Sequence, residues 1–229
     1  LLRKADGSYI VSDHRAGAPD GVDTLVNVYQ LQFSDQALLT AGLKSFSSLS
    51  AAEISALSLP LIGALSSGDL ASLTTSQVGG ITASQLSSLT SAQLGGLSSS
   101  QIGALTSVAV GGFTAAEIAG LTSAQVRGLT SVQMGALSAV AVGGFTSSEV
   151  AALTTLQIAG LKSAQIGAIS VGAVSGLTSA GLAALTTAQT PGFTAGQVAA
   201  LTTSQIAVLN ASQISALSSS GVQGLSAAD

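Results

Sequence analysis

The chain repeats itself every eight residues. From Leu49 to Leu225 the first position of the octad occurs 23 times, and every occurrence is Leu, Ile or Phe. The second position is Ser or Thr in 21 of the 23, the exceptions being Lys162 and Asn210. The sixth position occurs 22 times and is Ile, Val, Leu or Met in 21, with Thr190 the exception. The fifth is Gln or Glu in 15 of 22, and the seventh and eighth are mostly Gly, Ala or Ser. A register kept this strictly demands one small structural unit per octad.

A continuous α-helix does not satisfy the pattern. At 3.6 residues per turn, apolar positions eight apart drift by about 80° per repeat and never line one face. A continuous strand fails because positions 1 and 6 would point to opposite sides of a sheet. The chain therefore turns within every octad. Ser or Thr followed three residues later by Gln or Glu is a capping box. In it the hydroxyl accepts from the third helical N–H, and the long side chain accepts from the N–H of the capping residue. The apolar residues at positions 1 and 6 flank the box as a hydrophobic staple does. Each octad thus reads as a capped helix start, one short turn and a break at small residues, where glycine permits a positive φ or a close backbone approach.

A lone octad loses more in chain entropy than two apolar side chains and one cap return. The units must stack, and the expected fold is a repeat solenoid of short capped helical turns, one per octad. A β-solenoid is the alternative, since eight is even and Thr, Val and Ile are frequent, but strand pairing gives no reason for Ser/Thr and Gln three apart. A longer period is also visible. Ala109, Ala141 and Ala173 replace Gln at intervals of 32, and Phe113/Phe145 and Glu117/Glu149 are 32 apart, which suggests four octads per coil; Phe193 departs from this spacing. Distortions are expected at the octads containing Pro60 and Thr190-Pro191.

Composition narrows the function. Only 7% of the 229 residues are charged, cysteine and tryptophan are absent and His14 is the single histidine. No basic stripe can form, so nucleic acid is not an expected partner. Catalytic residue types are scarce, and the chain does not read as an enzyme. Residues 163–228 have no ionisable side chain, yet Ser, Thr and Gln interrupt them every few residues, so no transmembrane span is expected.

Residues 1–48 form a second region, a small β-rich segment that caps the solenoid covering 49–229. It carries nine of the sixteen Asp, Glu, Lys and Arg residues and both tyrosines. Gly7 to Ser12 is β-prone, Asp20-Gly21 is a turn signal, and Leu25, Tyr29, Leu31 and Phe33 share one face at period two. The run Gly7-x-Tyr9-x-Val11-x-Asp13, then Pro19-Asp20-Gly21-Val22-Asp23-Thr24-Leu25, then Val28 and Leu31-Gln32-Phe33-Ser34-Asp35, resembles a segment of large RTX-type bacterial proteins exported by type I secretion. Octapeptide arrays similar to Leu-Thr-x-x-Gln-Ile-x-x occur in surface proteins of that kind. The resemblance implies an extracellular or cell-surface location and points to calcium. Asp20 and Asp23, with Asp13 or Asp35, are the candidate calcium ligands; the alternative is Asx-turn chemistry. The glycine-rich nonapeptide of calcium-binding β-rolls is absent.

Other constellations carry less. Ser12, Asp13 and His14 are adjacent on one segment and cannot adopt triad geometry. The paired glycines lack the lysine of a phosphate loop. The Gln row reads as caps before it reads as a ligand row, and the Thr row as caps before an ice-binding face. The sequence lacks an initiating Met and stops inside an octad, as expected of a piece of a longer array. The resulting expectation is an extracellular structural protein that polymerises head-to-tail with itself into a filament, sheath or biofilm-matrix fibre, the stalk of a calcium-dependent adhesin being the alternative.

Overall fold

The structure, a computed structural model, describes residues 46–225 in full and, before them, only the backbone of five short strands. Residues 46–225 hold 21 short α-helices, from Ala51–Ser55 to Ser219–Val222, and two 3-10 turns at Phe46–Ser48 and Thr190–Gly192. The repeat is helical, not a β-solenoid.

Most of the helices begin with the cap that the sequence predicts. At Thr90, Oγ1 accepts from the Gln93 N–H at 3.2 Å, while Gln93 Oε1 accepts from the Thr90 N–H at 2.8 Å. The capping residue itself is extended, with ψ between 150° at Ser170 and 166° at Ser66, so every cap redirects the chain. Asn210 caps as well as Thr does, its Oδ1 accepting from Gln213 N at 2.9 Å. Lys162 has no side-chain acceptor, and only the Gln165 half of the box forms there, at 2.7 Å.

Three such reversals complete a coil. Helix Ser99–Ala104 packs on Ser123–Gly128, and that on Ser147–Ala152; the neighbouring column runs Ser107–Val110, Ser131–Ala136, Thr155–Gly160, Ser179–Ala183. Stacked helices are therefore three octads apart, and the 32-residue recurrences do not mark one coil. The residues at positions 1 and 6 fill the interior. Ile102, Val126, Met134, Ile158 and Ile166 are completely buried, and Leu97, Leu129 and Leu161 nearly so. They belong to one continuous apolar core that begins at Phe46.

Glycine at position 8 is a packing requirement. From Gly80 to Gly192, at every sixteenth residue, an added Cβ would overlap the main chain of the residue 29 earlier, as Gly144 with Ala115 and Gly160 with Ser131. No described glycine has a positive φ, so close approach is what these positions need.

The two irregular octads are distorted. Thr190-Pro191-Gly192 winds as a 3-10 turn, with Thr190 Oγ1 returned to the Thr186 carbonyl at 2.9 Å. Ser58, ahead of Leu59-Pro60, makes no cap bond and its buried Oγ has no partner.

In the first region, β1 (Leu2–Arg3), β2 (Tyr9–Ser12) and β3 (Val22–Leu25) form an antiparallel sheet in that order, and β4 (Gln30–Gln32) pairs with β5 (Ala37–Leu39). Leu25 and Leu31 fall in different strands; Tyr29 and Phe33 lie outside the described residues.

Candidate functional site

The fifth position does more than cap. All twelve of its glutamines turn Nε2 toward the preceding coil and donate to the carbonyl of the position-1 residue 28 earlier. Gln125 reaches Leu97 O and Leu94 O, both at 2.8 Å. Gln157 reaches Leu129 O at 2.8 Å and Val126 O at 2.6 Å; Gln189 reaches Leu161 O at 2.7 Å and Ile158 O at 2.8 Å. One amide thus satisfies an N–H of its own octad and two carbonyls of the coil below, in a setting where unpaired backbone groups are costly. The glutamines are buried, Gln197 and Gln213 at 1% exposure. They are structural rivets, not a ligand row. The Thr hydroxyls accept from backbone N–H groups, as Thr122 does from Gln125 at 3.2 Å, and serve as caps.

Three of the position-5 carboxylates are buried with them. Asp69 accepts from the N–H and hydroxyl of Ser66 at 2.7 and 2.6 Å. Glu117 and Glu149 keep the cap bond through Oε2, from Thr114 N at 2.7 Å and Thr146 N at 2.6 Å, but the Oε1 of each is buried without a partner. Burial pushes the Glu117 carboxyl above the usual carboxylate range, against the hydrogen bonds from Thr114 that pull it down.

The outer surface is the part left for function. Residues 46–225 contain six charged side chains, Glu53, Asp69, Glu117, Arg127, Glu149 and Lys162. Three of them are buried. Position 4, in the first turn of each helix, points outward, and on one column it is apolar: Val108 is 78% exposed, Val132 70% and Leu156 74%. They are 24 residues apart on stacked helices, and so form a ridge along three successive coils. Val140 is exposed in the same way on the next column. The spacing was legible in the sequence, but only once the coil is known to hold three octads. Beside the ridge column, a shallow groove lined by Ser99, Ser100, Gly103, Arg127 and Gly128 is open to solvent. The Arg127 Nε donates to the Ala152 carbonyl at 3.3 Å.

Of the calcium candidates, Asp20 lies outside the described residues, as do Asp13 and Asp35. Asp23 sits in β3, its backbone opposite Val11, and its side chain is not described. Ser12 ends β2, while His14 lies outside. Among the described residues no three His, Cys, Asp or Glu side chains gather to hold a metal. No helix of the described residues is long and apolar enough to cross a membrane.

A family model described as ALTTAQ repeat matches residues 62–99. The six letters of that description also stand in the chain as Ala184-Leu185-Thr186-Thr187-Ala188-Gln189, outside the matched stretch. In the fold this string is the end of one octad, the core Leu, the cap Thr and the rivet Gln of the next. No curated protein and no solved structure matches the chain.

Proposed function

We propose that this chain is an extracellular structural protein whose copies associate into a surface filament, sheath or matrix fibre. The observation that carries the reading is the exposed ridge of Val108, Val132 and Leu156 on a wall with almost no charge. Surface charge keeps proteins apart, and this wall has little of it. An apolar ridge on successive coils offers a second copy a contact that repeats with the fold. The interior is given over to packing and rivets, which suits a load-bearing module. The extracellular location rests on the RTX-type resemblance of the first region. The β-rich cap assigned to that region is part of the same proposal.

Negative-stain electron microscopy of the 229-residue chain, with calcium and after chelation, tests the proposal. Uniform fibres in both conditions, lost when Val132 and Leu156 are replaced by Lys, are the expected result. Single particles in both conditions would overturn self-assembly and favour the adhesin stalk. Fibres that dissolve on chelation would transfer assembly from the ridge to the calcium candidates Asp20 and Asp23.

A further inference from the structure

The rivet fails chemically at Glu117. In the following octad Gln125 donates through Nε2 to Leu94 O and Leu97 O, residues 31 and 28 earlier. The same register sets Glu117 against the carbonyls of Leu86 and Leu89. A carboxylate oxygen there has nothing to donate and faces two acceptors, and Glu117 Oε1 is indeed buried without a partner. Its other oxygen is held by the Thr114 N–H at 2.7 Å, which fixes the carboxyl in place. One species turns the clash into a bond without moving the chain: a proton on Oε1, which makes the neutral acid a donor as the Gln amide is.

We propose that Glu117 is a proton-operated joint between coils, closed when its Oε1–H bonds the carbonyls of the coil below and weakened when the acid ionises. The surroundings offer no alternative counter-charge. The helices packed on Ala115–Ala119 are Ser91–Leu94 and Ala139–Val142, and neither carries a titratable side chain; residues 86–89 carry none either. The nearest charged groups along the array are Arg127, whose Nε is engaged with Ala152 O, and Glu149. Desolvation raises the Glu117 carboxyl above the ordinary glutamate range, the direction the joint requires. A group raised in the folded state contributes its full stability below the unfolded value and loses it as pH rises through the folded one. The joint therefore loosens as pH rises.

The test compares the wild-type chain with Glu117→Gln by urea denaturation from about pH 4 to about pH 8, across the ordinary carboxylate range. Wild type and variant should have similar midpoints at the acid end. The variant should pull ahead as pH rises, because its amide donates at every pH. Infrared difference spectroscopy gives a second readout: a protonated-carboxyl carbonyl band present in the wild type above the ordinary glutamate range and missing from the variant. A midpoint difference that stays constant with pH, or a wild type without that band, would overturn the joint. So would a wild type whose midpoint at the alkaline end is restored by sodium or calcium chloride but not by tetramethylammonium chloride, since a cation would then occupy the place assigned to the proton.

Discussion

At the scale of the residue, the glutamine of each octad does two jobs, and only one of them was legible in the sequence. The capping half follows from a three-residue spacing that a reader can see locally. The riveting half joins residues 28 and 31 apart, and that separation is known only after the coil has closed. Gln133 shows the sum: Oε1 accepts from Thr130 N at 2.7 Å, and Nε2 donates to Leu105 O at 2.6 Å and Ile102 O at 3.1 Å. Truncating it to Ala leaves a part-buried N–H and a buried carbonyl unpaired, each in the range of 1–3 kcal/mol, so Gln133→Ala should destabilise the array by about 2–6 kcal/mol. Urea unfolding of the two chains side by side checks this, and a loss well under 1 kcal/mol would mean that water reaches the vacated groups.

The position-5 alanines show what an octad asks of the octad three units away. The rivet register places position 5 over position 1, 28 residues earlier. Each Phe at position 1 has a small residue there: Phe113 has Ala141, Phe145 has Ala173 and Phe193 has Gly221. At Gly221 an added Cβ would sit 2.9 Å from the Phe193 carbonyl oxygen, which shows how tightly the two positions meet. No glutamine rivet crosses any of the three Phe residues. This accounts for Phe193, which breaks the 32-residue rule yet keeps the 28-residue one. Phe113→Leu leaves a void and Ala141→Gln overpacks, so each single change should cost about 1–3 kcal/mol. The double variant should recover at least 1 kcal/mol of their sum, and a double-mutant cycle that is additive within about 0.5 kcal/mol would sink the pairing. Glycine makes a parallel contrast between elements. Gly144→Ala drives a Cβ into the Ala115 backbone and should cost about 1–3 kcal/mol or more. Gly172→Ala meets nothing within 4 Å inside helix Val171–Val174 and should gain about 0.5–1 kcal/mol. Thermal unfolding of the two variants should move in opposite directions. The octad, its cap and its core positions were readable because they are local. The number of octads per coil was not, because the 32-residue recurrence of Phe, Ala and Glu imitates a coil length, while stacking at 24 residues leaves no such mark on composition.

For the whole molecule, the balance of forces between copies follows from where the charges are. Of the six charged residues in the described solenoid, Asp69, Glu117 and Glu149 are inside, so Glu53, Arg127 and Lys162 alone reach the wall. Association steered or opposed by charge weakens or strengthens as salt shortens the screening length, which falls from about 30 Å at 0.01 M to about 3 Å at 1 M. Association through Val108, Val132 and Leu156 depends on removing apolar area from water, and salt does not screen that. Light scattering of the 229-residue chain across that salt range should show assembly unchanged or modestly promoted toward the high end. Cooling should weaken it, because the hydrophobic contribution falls with temperature. Dissolution of the assemblies by about 1 M sodium chloride would place the contact on charged groups of the first region, where nine of the sixteen ionisable Asp, Glu, Lys and Arg side chains are concentrated, and would remove the ridge from the account. Persistence through high salt combined with loss on cooling, and its abolition by Lys at positions 132 and 156, is the combination that an apolar seam between copies requires.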